Sequence, residues 1–153
     1  MRLGDHLKPE CVKVQLDVAG KQQAVFELAD LLTRESGLSS RAQEIKDAIW
    51  KRETTQSTGI GLGIAVPHGR LSGLDTLLLA VGLVRPGIDY KAIDGKPVDL
   101  ILLVISPEHQ ANMHIQVLAA ISRMLTDEPI REQIKAAKDA DELIGIIKAY
   151  ESR

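Results

Sequence analysis

Thr76-Leu77-Leu78-Leu79-Ala80-Val81-Gly82-Leu83-Val84 is apolar almost from end to end, with no alternation of polar and apolar residues. A strand with one wet face alternates, so a continuous run of this length reads as a strand covered on both faces. Asp99-Leu100-Ile101-Leu102-Leu103-Val104-Ile105 has the same character. The segment between them, from Arg85-Pro86-Gly87 to Gly95-Lys96-Pro97, is rich in turn residues, and Asp94-Gly95 is a tight-turn candidate. The two runs are therefore expected to be the central strands of a sheet, with helices over both faces.

Beyond the second run the period becomes helical. Helices are expected over Ala111 to Leu125, Ile130 to Lys138 and Ala140 to Tyr150, with a break at Asp127-Glu128-Pro129. Asp139 and Glu142 have capping-box spacing, and the tail Glu151-Ser152-Arg153 is expected to fray. Toward the N-terminus, Ile64 to Val66 reads as a short buried strand. A helix is expected from about Lys21, with Val25, Leu28 and Leu32 on its buried stripe and Gly37 ending it. Ser40 and Gln43 have capping-box spacing for a second helix, whose stripe would be Ala42, Ile45 and Ile49 and whose end carries Arg52. Val12-Lys13-Val14-Gln15-Leu16-Asp17-Val18 alternates with period two, as an edge or half-exposed strand does. Strands separated by helices, two of them wholly apolar, imply the α/β class: a single domain with a mixed β-sheet sandwiched between α-helices.

The chain of 153 residues can bury a hydrophobic core without disulfides or metal. Aromatics at 3% leave the core to Leu, Ile, Val and Ala and provide no base-stacking platform. A net charge of -2 with acids and bases interspersed gives no basic stripe, which argues against nucleic acid or an anionic membrane as partner. The single Cys11 excludes an intramolecular disulfide framework and suits a reducing compartment. The start of the chain does not look like a signal peptide, and no run reaches the roughly 20 apolar residues of a membrane span. A cytoplasmic protein without membrane insertion is expected.

Chemistry is sought around Ser57-Thr58-Gly59-Ile60-Gly61-Leu62-Gly63-Ile64-Ala65-Val66-Pro67-His68-Gly69-Arg70. Glycines at alternate positions allow close approach of a ligand or partner. Pro67 stiffens the arrival at His68, and Gly69 is expected to leave open space beside it. Among the other histidines, His6 and His109 read as surface residues. His114 shares a helical stripe with Leu118, Ile121 and Leu125, so it faces inward. Its helix follows a central strand and His68 ends another, so the two can meet at one edge of the sheet.

Competing motifs fail on spacing. The third glycine is one place early for a dinucleotide fingerprint, and Pro67 blocks the helix that should follow. No Gly-Lys-Ser/Thr completes a P-loop, His109 and His114 are not at zinc-ligand spacing, and no Gly-x-Ser-x-Gly elbow is present. Histidine as nucleophile toward a phosphoryl group survives. Such an imidazole must be neutral, hydrogen-bonded at its other nitrogen and flanked by cations. His68, His114 and Arg52 can fill these roles, with no cofactor and no metal required.

The Ser57 to Arg70 stretch resembles the active-site signature of IIA components of the bacterial phosphoenolpyruvate-dependent sugar phosphotransferase system, fructose/mannitol type. Asp94-Gly95-Lys96-Pro97-Val98, the strand after it, and His114 followed by Leu118-Ala119-Ala120-Ile121-Ser122 share the likeness, which covers nearly the whole chain. The resemblance implies that His68 takes a phosphoryl group from a histidine-containing phosphocarrier protein and passes it on, with His114 as second active-site histidine and Arg52 as the upstream arginine. Thr58, Gly59, Gly61 and Gly69 are then candidates for contact with phosphate or partner. Ser-Thr-Gly-Ile-Gly in a stand-alone chain is most similar to the nitrogen-regulatory branch, whose phosphorylation state controls a protein partner. The alternatives are a sugar-transport IIA that feeds a IIB domain, or a binding module that never carries phosphate.

Overall fold

A computed structural model describes residues 1–153. The chain contributes strands β1 (Val12–Lys13), β2 (Gly59–Gly61), β3 (Ile64–Ala65), β4 (His68–Leu71), β5 (Leu78–Ile88) and β6 (Val98–Pro107) to one sheet. The helices are α1 (Lys21–Glu35), α2 (Ala42–Thr55), α3 (Ala111–Thr126), α4 (Glu128–Lys135) and α5 (Ala140–Glu151). The sheet is mixed, in the order β1-β5-β6-β3-β2, with β4 also paired to β6. Strand β6 is the axis: β5 runs antiparallel along one side, while β3 and then β4 run parallel along the other.

Alternation along β6 divides the core in two. Leu100, Leu102 and Val104 pack with residues of α3, α4 and α5, whereas Ile101, Leu103 and Ile105 pack with residues of α1 and α2. Both faces are covered, which is why neither long strand alternates in sequence. At ~25 cal/mol per Å² of apolar surface removed from water, these two clusters dominate the folding free energy.

Several boundaries differ from expectation for local reasons. Only Val12–Lys13 of the first alternating run forms a ladder, although Leu16 N–H still donates to the Leu83 carbonyl at 2.9 Å. The Ser40/Gln43 capping box does not form. A 3₁₀ turn over Ser39–Arg41 precedes α2, and Arg41 instead chelates Glu44 at 2.9 and 2.7 Å and donates to the Ser72 carbonyl at 2.7 Å. Strand β5 continues through Arg85-Pro86-Gly87 to Ile88 by way of a register shift, where turn chemistry alone suggested a loop. Pro129 falls inside the first turn of α4, where its missing N–H costs nothing, and the helix ends at Lys135 rather than Lys138. His6 closes a 3₁₀ turn over Leu3–His6. That turn is tied to the C-terminus: the Glu151 carboxylate accepts from Leu3 N–H at 2.5 Å and Gly4 N–H at 2.9 Å. The tail therefore does not fray at Glu151, and Arg153 pairs with Asp127 at 3.1 Å. Gly37 does end α1, with φ +70°, and Asp139 caps α5 by accepting from Glu142 N–H at 2.8 Å.

Candidate functional site

The register of β4 aims its side chains. His68 pairs with Val104, Gly69 with Ile105 and Arg70 with Ser106. Neighbours in register share a face, so His68 and Arg70 project toward α3 with Val104, and Gly69 projects toward α2 with Ile105. The sheet thus delivers His68 and α3 delivers His114 to the same edge. Their ring centroids lie 5.3 Å apart with the planes inclined at 58°.

Each imidazole is held at Nδ1. His68 Nδ1 is 2.8 Å from the Val66 carbonyl oxygen. A carbonyl only accepts, so Nδ1 carries the proton and Nε2 bears the free lone pair. Burial lowers the His68 pKa below the usual 6.5, and the Arg52 guanidinium adds to the fall, while the Val66 carbonyl and Glu53 oppose it. His114 Nδ1 contacts the hydroxyl of Ser106, which is wholly buried. Burial lowers the His114 pKa as well, helped by the nearby charges of His68 and Arg70. Both rings are thereby biased toward the neutral form.

A cleft of about 430 Å³ opens in front of His68, lined among others by Arg52, Thr58, Gly59, Val66, Lys91 and Leu118. Arg52 stands in the last turn of α2 and braces the following loop by donating to the Gln56 carbonyl at 2.7 Å. Two exposed residues, Ile60 (46%) and Ile93 (78%), form an apolar rim. The structure thus gathers His68, Arg52, Thr58 and Gly59 around one opening, with His114 alongside. Gly61 and Gly69 are not brought to it. Gly61, at φ +92°, faces Asp94 at the β2–β3 hairpin, whose tip includes Leu62 at φ +61°. Gly69 faces Ile49 of α2, on the side of the sheet opposite His68, so it does not provide space beside the imidazole.

The sequence reading missed the group that shapes the cleft wall. Glu53 is 3% exposed. Its carboxylate accepts from Thr58 N–H at 2.6 Å, from the Thr58 hydroxyl and from the Tyr90 hydroxyl, and pairs with Lys21 at 3.3 Å. Lys21 also lies 4.6 Å from the centre of the Tyr90 ring. A buried carboxylate is tolerated when its lone pairs are satisfied in this way. Burial and the adjacent Glu53 charge push the Tyr90 hydroxyl well above its ordinary pKa, so it remains a donor. A signal for Glu53 existed: it continues the Ile45, Ile49 stripe at one-turn spacing. Tyr90 and Lys21 had none, because their contacts join segments distant in sequence. Ser106 was hidden inside an apolar strand. No three His, Cys, Asp or Glu side chains converge on a point that would hold a metal ion.

With this geometry in hand, known proteins are informative. The chain is 35% identical over 148 residues to a nitrogen regulatory protein of Bradyrhizobium diazoefficiens, covering 96% of this chain and 95% of that protein. It is 32% identical over 151 residues to the PTS system fructose-specific EIIABC component of Bacillus subtilis, where it spans 99% of this chain but only 24% of the relative. The crystal structure of the nitrogen regulatory protein IIA-Ntr from Neisseria meningitidis superposes with a TM-score of 0.87 at 32% identity, covering 95% of this chain and 98% of that one. Residues 5–150 match the family described as phosphoenolpyruvate-dependent sugar phosphotransferase system, EIIA 2, and the chain belongs to that family.

Proposed function

We propose that this protein is a phosphohistidine carrier that accepts a phosphoryl group on Nε2 of His68 from a histidine-containing phosphocarrier protein. The observation that carries this reading is the His68 ring itself: pinned by Nδ1 to the Val66 carbonyl, lowered in pKa, with Nε2 the free nitrogen beside a cleft that Arg52 lines. The His68 Nε2 lone pair forms a new N–P bond as the donor's N–P bond breaks. The bonding pair stays with the donor imidazole. The Nδ1 proton remains on His68, so the phosphorylated ring is positive beside the phosphoryl anion. Arg52 offsets the charge on the equatorial oxygens, and little bond-making chemistry is asked of the protein beyond this positioning.

The nitrogen-regulatory reading draws on the relative that the chain matches over 95% of its length. A regulated partner needs only two states to distinguish. The phosphoryl group on His68 carries about two negative charges, offset in part by the protonated ring, so the face gains net negative charge. That charge falls next to an apolar rim, Ile60 and Ile93, that a partner would cover. The likeness to the fructose-specific EIIABC component supports a second reading, in which a IIB domain receives the phosphoryl group. Affinity capture on the wild type and His68→Ala tests between them: a bound protein that discriminates the two forms supports regulation. Fast transfer to a IIB sugar domain supports transport.

A further inference from the structure

We infer that Ser106 is a positioning residue that locks the tautomer of His114, so that His114 presents an Nε2–H donor toward phosphate carried on His68. The inference rests on the phosphocarrier reading for its consequence but not for its geometry. Ser106 sits on β6 at 0% exposure, beyond the reach of water, and its Oγ has one hydrogen-bond partner, Nδ1 of His114. A buried hydroxyl hydrogen must find an acceptor, and leaving it without one is costly. If Nδ1 carried a proton and donated to Oγ, the Ser106 hydrogen would have no acceptor. The arrangement that satisfies both atoms has the Ser106 hydroxyl donating to an unprotonated Nδ1. Neutral His114, the form its burial favours, then carries its proton on Nε2.

The two histidines are thus set in opposite tautomers by partners of opposite kind. A carbonyl, which only accepts, holds His68 as Nδ1–H with an Nε2 lone pair. A hydroxyl that must donate holds His114 as Nε2–H. The ring centres lie 5.3 Å apart, so with phosphate bonded to His68 Nε2 a lone pair on His114 Nε2 would repel the phosphoryl oxygens, while an N–H there donates to one. No proton is transferred in this role: the N–H of His114 stays on its ring and hydrogen-bonds the phosphoryl oxygen. Register explains how the pair is held. Ser106 stands two residues after Val104, on the same face, and meets His114 from beneath α3.

The test is nitrogen NMR on protein carrying ¹⁵N-labelled histidine, at a pH where both rings are neutral. The expected result is a pyridine-type Nδ1 and a pyrrole-type Nε2 for His114, and the reverse for His68. Ser106→Ala should shift the His114 nitrogens toward a tautomer average, and Ser106→Thr, which keeps the hydroxyl, should restore the wild-type pattern. In phosphorylation assays Ser106→Ala should slow hand-on from His68 about tenfold, the scale of a lost hydrogen bond to a charged group. Acceptance should change less. A protonated Nδ1 on wild-type His114, or Ser106→Ala spectra identical to wild type, would overturn the inference. A His68 that never takes phosphate would instead overturn the carrier reading, because the tautomer spectra are recorded without phosphate.

Discussion

His68 offers its two ring nitrogens to different worlds, Nδ1 to the Val66 carbonyl and Nε2 to the cleft, and its behaviour with pH follows from that split. Its pKa lies below 6.5 because burial and Arg52 disfavour the imidazolium. The neutral ring therefore persists below pH 6.5, and the acidic limb of the acceptance rate proposed for it should fall there. In Arg52→Ala one of the depressing charges is gone, so the limb should move to higher pH, alongside a loss of ~10²-fold in rate at neutral pH. Rate measurements from pH 5 to 8 on both proteins check the pair of effects. An unmoved limb would remove Arg52 from the neighbourhood of His68. The same sign governs stability: with both histidines held low in the folded state, the protons they gain on unfolding destabilise the fold as pH falls from 6.5 through the folded values. At this scale the meeting of His68 and His114 was legible in sequence because Pro67-His68-Gly69 and the stripe of His114 are local patterns. Ser106 was not, since a hydroxyl in an apolar strand says nothing about its partner.

At the scale of elements, two glycines of one stretch do different work, and their substitutions should separate. A Cβ on Gly69 would meet Ile49 Cγ1 at 3.4 Å, an ordinary contact, so Gly69→Ala should fold with near-normal stability and still accept phosphate. A Cβ on Gly59 would lie 2.7 Å from Ala92 Cβ and 2.8 Å from Ala92 Cα. Gly59→Ala should push the Tyr90 to Ala92 segment away from β2, at a cost of about 1–3 kcal/mol, with slower acceptance because that segment borders the cleft. Thermal denaturation of the two variants side by side reads this difference. Glu53 ties the same pieces together, and Glu53→Ala should cost about 3 kcal/mol, since it strips the Thr58 and Tyr90 hydroxyls of their acceptor and Lys21 of its counter-charge. The order of the elements was readable from period and turn chemistry. The continuation of β5 to Ile88 was not, because sheet pairing with Val98 overrides the turn residues before it.

For the whole molecule, the α/β class followed from the two unalternating runs together with the helical segments around them, as a sheet covered on both faces requires. The closure of the chain did not follow: Glu151 reaches back to the N-terminal turn across almost the full sequence, a contact no local pattern announces. Glu151→Ala should lower stability by about 1–3 kcal/mol without altering phosphorylation, since Glu151 does not line the His68 cleft, and a denaturant titration with a parallel labelling assay checks both halves. Ile60 and Ile93 are exposed beside the His68 cleft, and the carrier reading depends on His68 taking phosphate. The direct measurement is to incubate the intact protein with phosphoenolpyruvate and the two upstream phosphotransferase proteins, then record its mass and locate the modified atom by NMR. The account predicts one phosphoryl group, acid-labile and base-stable, on Nε2 of His68, and none on His68→Ala. Label on another residue, or a folded wild-type protein that takes up no phosphate, would contradict it.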